Sequence, residues 1–217
     1  MNKKNIIFSA ILVVIAVLFT VLIKTVDVQN VGVNGSEIGF ATINKEVFDL
    51  IGTSDTWKTI TDVLGYLALG IVFCYAVVGL TQLIKRKNLF KVDKEIIALG
   101  VFYVVVLGLY FLFDKVAINY RPVLENGKME ASFPSSHTML AICVCISAIW
   151  INKKLFKSDM TKIFNILLVL VAILTVVGRL LAGVHWFTDI IGGIIISCAL
   201  LMIFNTVLDM LGKKEKK

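Results

Sequence analysis

Residues 163–189 read IFNILLVLVAILTVVGRLLAGVHWFTD, in which a long apolar run leads directly into a polar segment. The run 163–181 has nineteen residues, and at about 1.5 Å per residue it can cross most of the ~30 Å hydrocarbon core of a bilayer. The end of the run and the segment after it carry Arg179, His185 and Asp189. We therefore predict a membrane-spanning helix with ionisable side chains, able to bind an anion or transfer a proton, at one end.

Five further apolar runs indicate that this helix is one of a set. They cover residues 6–23, 60–84, 96–113, 138–151 and 190–208. The chain is 58% hydrophobic with a mean hydropathy of +0.90, whereas an ordinary soluble domain is about half apolar. A buried helix of a soluble protein explains any one run. Six runs in 217 residues favour an all-α bundle of six transmembrane helices, formed by a single domain over residues 1–217.

The first and fourth runs need separate interpretation. Residues 6–23 follow two lysines as in a secretory signal, but no small-x-small cleavage site follows them, so we predict a retained helix. The run 138–151 has only 14 residues and needs 134–137 and 152–156 at its ends to span the bilayer. That extension places His137 near the membrane surface.

The positive charge is concentrated on one side of the predicted membrane. With the amino terminus inside, the segments 3–4, 85–94, 153–162 and 213–217 hold 15 of the 22 Lys and Arg residues. This asymmetry follows the positive-inside rule, so both termini are expected in the cytoplasm and both histidines outside. The +7 net charge therefore indicates topology and no nucleic-acid partner. The four cysteines lie inside apolar runs, which indicates neither a disulfide framework nor a metal site.

The longest polar interval, 24–58, is expected to lie at the outer membrane surface. Within it Asn44 is predicted to cap a short amphipathic helix at 45–51. This helix serves either as a lid over the site or as a connector, and the sequence favours neither. Trp57 is expected as an interfacial anchor, and one of residues 53–55 can cap the second spanning helix.

The chain has only two histidines, and each lies in a short polar segment. His185 and Asp189 are four residues apart, so they share one face if the sixth spanning helix starts there. A carboxylate beside one ring nitrogen fixes the tautomer and leaves the other nitrogen free as a nucleophile or base. Arg179 offers a planar cation for phosphate oxygens. The alternative is a structural His–Asp pair with a snorkelling arginine.

The second histidine ends the sequence PSSH at 134–137, where the fourth run begins. The N–H groups of a helix's first turn are unpaired and favour an anion. Ser135 or Ser136 can cap this helix or donate a hydroxyl to a bound phosphate. Lys115 and Arg121 lie earlier in the same outer loop, where two cations invite an anionic ligand. Snorkelling at a helix end is the alternative, and it accounts for Lys115 better than for Arg121.

Taken together, these residues resemble the three signatures of the type 2 phosphatidic acid phosphatase (PAP2) superfamily of membrane lipid phosphatases. The family patterns are Lys-x6-Arg-Pro, Pro-Ser-Gly-His and Ser-Arg-x5-His-x3-Asp. The corresponding residues here, in a motif core at 115–189, are Lys115…Arg121-Pro122, Pro134-Ser135-Ser136-His137 and Gly178-Arg179…His185…Asp189.

Three positions depart from those patterns. Lys115 is one residue closer to Arg121 than the family spacing, which shifts its approach to the site. Ser136 takes the place of a glycine, so the backbone N–H there serves beside a small side chain. Gly178 takes the place of a serine, which removes one orienting hydroxyl. None of the three removes a group essential to the chemistry.

The resemblance implies a phosphatase that needs neither a metal nor another cofactor. His185, oriented by Asp189, is implied as the nucleophile that forms a phosphohistidine, and His137 as the acid and base of the two steps. Phosphate binding is implied for Lys115, Arg121, Ser135, Ser136 and Arg179.

The implied substrate is a lipid phosphate or an isoprenoid diphosphate at the outer face of the plasma membrane. Phosphatidylglycerol phosphate, phosphatidic acid and undecaprenyl diphosphate all fit, and no obligate protein partner is evident. A small transporter or channel is the alternative function, but it needs ionisable groups deep in its spans. Only Asp62 and Arg179 lie in the runs, near their outer ends. A soluble haloperoxidase and an intramembrane Ser-His protease fit the pattern less well.

Overall fold

The chain folds into long helices that form a bundle. The computed structural model describes residues 3–156 and 158–214, so the lysine predicted on the inner side at 157 and those at 216 and 217 lie outside the described residues. Within the described ranges there are seven α-helices: α1 (Lys3–Thr25), α2 (Ala41–Ile51), α3 (Asp55–Arg86), α4 (Lys94–Lys115), α5 (Ser136–Leu155), α6 (Asp159–Leu181) and α7 (Phe187–Lys214). All except α2 are long and apolar enough to cross a membrane, which confirms the six predicted spans.

Helix α5 forms the centre of the bundle. It packs against α3, α4, α6 and α7, and most of its residues are buried. Small side chains line it, among them Ala141, Cys143 and Ala148, and they let neighbouring helices approach closely. The run that looked too short to span is thus the most enclosed helix, extended at both ends to 20 residues as predicted.

Helix α1 packs along α7 at the edge of the bundle. Near the start of α1, the Ser9 hydroxyl lies 3.1 Å from that of Thr206, which is close to the end of α7. Near the other end of α1, the Phe19 ring packs against Phe133, just before the PSSH segment. The described ends of the chain therefore lie together. The loops around 115–137 and 179–189 lie at the opposite end, which we call the motif end.

The helix α2 begins earlier than predicted. It starts at Ala41, so Asn44 lies inside the helix and is not its N-cap. Its fully buried amide donates to the Gly39 carbonyl at 2.8 Å and to the Thr188 hydroxyl at 2.9 Å, and it accepts from the Thr188 N–H at 3.0 Å. The capping prediction was wrong because the amide of Asn44 joins α2 to the first turn of α7 instead.

The start of α3 is fixed against the end of α6. Ser54 caps α3 by accepting from the Trp57 N–H at 3.4 Å, and its own N–H donates to Ala182 O at 3.1 Å. Gly183, with φ +65°, lies so close to the neighbouring turn that a Cβ there would be 2.1 Å from Gly52 O. Only glycine fits that backbone and that space. The first turns of α3 therefore lie beside the His185 loop.

Candidate active site

The His185 loop, residues 182–186, joins α6 to α7. Helix α7 begins at Phe187, so His185 precedes the helix. His185 and Asp189 therefore do not share one helical face, contrary to the expectation from their spacing. The capping turn brings them together instead. The Asp189 carboxylate accepts from the Trp186 N–H at 2.8 Å, as the third residue of a capping box does. The same carboxylate oxygen lies 3.8 Å from His185 Nδ1.

The direct partner of His185 is a backbone carbonyl. Its Nδ1 lies 3.0 Å from Ser132 O, and because a carbonyl can only accept, this contact assigns the proton to Nδ1. Within the described part of the chain, Nε2 is buried without a hydrogen-bond partner. Burial, followed by the charges of Arg121 and Arg179, lowers the pKa of His185 well below its usual 6.5. The imidazole is therefore neutral, with an unshared electron pair at Nε2.

The PSSH segment meets this loop directly. The Ser135 N–H donates to Asp189 O at 3.0 Å, so the second and third predicted motifs are joined by backbone. Ser135 is the N-cap of α5, yet its buried hydroxyl makes no hydrogen bond to any described residue. Ser136 opens the helix, where the N–H groups of the first turn have no intrahelical acceptor. An unpaired hydroxyl and free N–H groups therefore lie beside His137.

Arg179 is held from α3. The guanidinium is only 1% exposed, which rules out the snorkelling alternative for this residue. Its Nη1 donates to Asp62 Oδ1 at 2.8 Å and to Thr61 Oγ1 at 3.2 Å. The same Asp62 oxygen lies 3.5 Å from His137 Nε2. Asp62 thus bridges the arginine of the third motif and the histidine of the second.

Arg121 is a second cation of this region, and it is largely but not fully buried. Its guanidinium lies 3.4 Å from Glu125 and 3.3 Å from Glu130, and its side chain is 12% exposed. Glu125 also forms an ion pair with Lys58 of α3, at 2.8 Å. The first motif is therefore connected to α3 through Glu125, in the same way as the third motif is connected through Asp62.

Lys115 lies apart from this network. Its side chain is 83% exposed, and its ammonium faces the neighbouring carboxylate of Asp114 at 3.5 Å. Of the cations predicted to bind phosphate, Arg121 and Arg179 lie in this network and Lys115 does not, while Lys58 of α3 contacts the carboxylates of the network. Lys115 is the last residue of α4, and its side chain is exposed there instead of reaching the residues around Arg121.

Sequence reasoning missed four members of the network: Lys58, Thr61, Asp62 and Glu125. One signal was present, because Asp62 and Arg179 are the two ionisable residues inside the apolar runs, and such residues usually pair. Among the described residues, no three His, Cys, Asp or Glu side chains are grouped as metal ligands.

The helix α2 covers the His185 loop. Phe48 packs on Trp186 with ring centroids 5.6 Å apart, and Val47 and Ile51 line a small gap against His185. The buried amide of Asn44 fixes α2 to α7 in this position. This placement fits both a lid and a connector.

Comparison with known proteins gives three results. The model of the PAP2 superfamily matches residues 96–213. Phosphatidylglycerophosphatase B of Bacillus subtilis (strain 168) is 34% identical over 93 residues, which are 42% of this chain and only 44% of that relative. A crystal structure of a transmembrane PAP2 type phosphatidylglycerolphosphate phosphatase from Bacillus subtilis superposes with a TM-score of 0.59 over 93% of this chain and 96% of that chain. At 19% identity, this last likeness concerns the fold.

Proposed function

Since the chain belongs to the PAP2 superfamily, we propose that it is an integral-membrane phosphatase that removes a terminal phosphate from a lipid phosphate or lipid diphosphate. The proposal concerns the activity and substrate of the whole protein. It is built on the chemistry of the motif end, where cations, helix N–H groups and two histidines lie within one network.

The observation that carries this proposal is a set of buried polar atoms that have no hydrogen-bond partner among the described residues. Arg121 Nε, Arg179 Nε and Ser135 Oγ are all buried donors without an acceptor among the described residues. Leaving a buried donor unpaired is costly, and natural proteins keep few of them. A phosphate group has the charge and the acceptor oxygens that these three donors lack. His185 Nε2 is unpaired in the same region.

A cavity between α3 and α4 offers room for the lipid. It measures about 400 Å³ and has Asp62 and His137 at its polar end. The rest is lined mainly by apolar and aromatic side chains: Gly65, Tyr66, Leu69, Leu107, Tyr110, Phe111 and Leu140. A second, mostly apolar cavity of about 670 Å³ shares Leu107 and continues between the same two helices. A substrate with a charged head and a hydrocarbon tail fits this sequence of surfaces.

In the first proposed step, His185 Nε2 attacks phosphorus in line, and the bond to the lipid oxygen breaks. His137 donates a proton to that oxygen, so the lipid leaves as an alcohol or a monophosphate. Arg121 and Arg179 neutralise the charge on the phosphoryl oxygens, together with the N–H groups at the start of α5. The product on the enzyme is a phosphohistidine at position 185.

In the second step, water attacks the phosphohistidine and restores the enzyme. His137, now neutral, accepts a proton from that water, and free phosphate departs. Through both steps the Ser132 carbonyl and the Asp189 carboxylate face the Nδ1 side of His185. They stabilise the positive charge that develops on the ring when Nε2 bonds to phosphorus.

The first substrate to test is phosphatidylglycerol phosphate, because the curated relative carries that activity in its name. Purified protein in detergent, with EDTA present, is given this lipid, phosphatidic acid or undecaprenyl diphosphate, and released phosphate is measured. We expect turnover of at least one lipid and an acid-labile, base-stable phosphoenzyme. A folded protein that releases no phosphate from any of the three lipids would contradict the proposal and favour the alternative of a transporter or channel.

We also propose that the motif end faces outward across a bacterial plasma membrane. At the end away from the motifs, the segments 85–94 and 153–162 carry the lysine-rich loops, which favours a cytoplasmic position for them. In intact cells, a cysteine introduced at Lys128 should react with a membrane-impermeant maleimide, and one introduced at Lys87 should not. The reverse pattern contradicts this orientation.

A further inference from the structure

The first two turns of α3 direct three polar side chains towards the site from a segment outside the three motifs. Thr61 and Asp62 follow Lys58 by three and four residues, so all three side chains lie on the same side of the helix. Lys58 contacts Glu125, while Thr61 and Asp62 contact Arg179. This face therefore contacts Arg179 directly and Arg121 through the carboxylate of Glu125.

Thr61 and Gly178 form a complementary pair. A Cβ at position 178 would lie 2.5 Å from Thr61 Cγ2, so the side chain of Thr61 occupies the space that a serine at 178 would need. The Thr61 hydroxyl donates to Trp57 O at 2.8 Å and accepts from Arg179 Nη1 at 3.2 Å. The hydroxyl that orients the arginine thus comes from α3 in this chain, where the superfamily pattern has a serine next to the arginine.

Asp62 fixes one edge of the Arg179 guanidinium and leaves another free. Its carboxylate holds Nη1, whereas Arg179 Nε stays unpaired among the described residues. Because the guanidinium is rigid and planar, holding Nη1 determines the direction in which Nε points. The same carboxylate oxygen is 3.5 Å from His137 Nε2, so Asp62 contacts both Arg179 and His137.

Lys58, and not Lys115, is the lysine that contacts the carboxylates of this network. Its ammonium lies 2.8 Å from Glu125 and 3.8 Å from Asp62, with the side chain about one-third exposed (32%). Lys115 is 83% exposed. A lysine of α3 therefore contacts the carboxylates that hold Arg121 and Arg179.

We propose that α3 supplies a fourth part of the phosphate site, in which Lys58 binds the substrate phosphate and Thr61 and Asp62 are positioning residues for Arg179 and His137. The inference rests on the proposed phosphatase function. It assigns to this chain a compensation for two departures from the superfamily pattern: the serine replaced by Gly178 and the displaced Lys115.

The lysine part is tested by comparing Lys58→Gln with Lys115→Gln. Loss of one charge-assisted contact to phosphate should raise KM about tenfold for Lys58→Gln, and Lys58→Arg should recover most of it. The effect of Lys115→Gln should be smaller. Lys45→Gln removes an exposed lysine paired with Asp49 and serves as the control with unchanged kinetics. A larger loss for Lys115→Gln than for Lys58→Gln overturns the assignment.

The positioning part is tested by moving the hydroxyl. Thr61→Ala and Gly178→Ser should each lower kcat about tenfold, the first by losing the hydroxyl and the second by a clash. The double variant removes the Thr61 methyl group, which is the nearest neighbour of the added Cβ, and restores a hydroxyl beside Arg179. The Trp57 ring, 3.0 Å from that Cβ, then has to shift by only a few tenths of an ångström, so kcat should recover to within about threefold of the native value. Losses that simply multiply in the double variant overturn this part. Asp62→Asn should lower kcat by at least about tenfold with little change in KM.

A binding measurement separates this inference from the proposed function. Inorganic phosphate should raise the melting temperature of the native protein, and Lys58→Gln should reduce that rise, while Lys45→Gln should not. If no lipid is hydrolysed but this pattern is found, the phosphatase proposal fails and the α3 site stands. If Lys58→Gln leaves both the phosphate-induced rise and KM unchanged, the α3 site is contradicted.

Discussion

Two of the buried polar clusters among the described residues differ in how completely their polar atoms are hydrogen-bonded. In the half away from the motifs, the Tyr75 hydroxyl donates to Asn152 Oδ1 at 2.6 Å, and Asn152 Nδ2 donates to Asn165 at 2.9 Å. This cluster is neutral. At the motif end, two arginines and two histidines lie among carboxylates, and several of their nitrogens have no partner among the described residues.

The difference separates a structural cluster from a functional one. The Tyr75 cluster joins α3, α5 and α6 by complete hydrogen bonds, which is how buried polar groups contribute to helix association in a membrane. The motif end keeps donors unpaired, at a cost in stability that a bound anion can remove. Substitutions should therefore affect catalysis at the motif end and stability at the Tyr75 cluster.

The largest expected effect is that of His185→Ala. The change removes the proposed nucleophile, so phosphate release should fall by more than about 10³-fold, and the labelled phosphoenzyme should disappear. The purified variant should keep the melting temperature of the native protein to within a few degrees, which shows that it is folded. Undiminished phosphate release would contradict the assignment of His185.

Asp189→Asn should have the next largest effect. The asparagine oxygen can still accept from the Trp186 N–H, so the start of α7 is preserved, but the negative charge 3.8 Å from His185 Nδ1 is lost. Because Ser132 O still fixes the tautomer, we expect kcat to fall about a hundredfold, less than for the loss of the nucleophile. Equal losses for the two variants would contradict this division of roles.

The pH dependence of kcat/KM tests the charge around His185. The groups that face it are Arg121, Arg179, His137, Asp189 and the Ser132 carbonyl.

A protonated His185 cannot attack phosphorus. Since its pKa is held well below 6.5 by burial and by both arginines, activity should persist below pH 6.5 and be lost only at more acidic pH. Arg121→Gln removes one cation, which raises the pKa of His185 and moves the acid limb to higher pH. A limb that stays in place, or moves down, contradicts this account.

Most of the fold could be predicted from the sequence, because apolar length and charge asymmetry decide which segments span a membrane. The superfamily was also predicted from motif spacing and is confirmed. The contacts of α3 with the motifs were not predicted: Asp62 gave a signal as an ionisable residue inside an apolar run, but Lys58 and Thr61 look like ordinary residues at the start of a spanning helix. Their contacts depend on how α3 packs against α6, where Gly178 admits Thr61, and no local spacing encodes that approach.

The smallest expected effect on activity belongs to Tyr75→Phe in the satisfied cluster. The change removes one hydroxyl and leaves Asn152 Oδ1 buried without its donor, so it should lower stability by about 1 kcal/mol. Because Tyr75 lies in the half of α3 away from the motifs, kcat and KM should stay within about twofold of native values, inside the usual range for a substitution remote from a site. Thermal unfolding and lipid turnover on the same preparation measure both quantities. A loss of turnover with unchanged stability would show that the two clusters are coupled, and would contradict the separation of a structural cluster from a functional one.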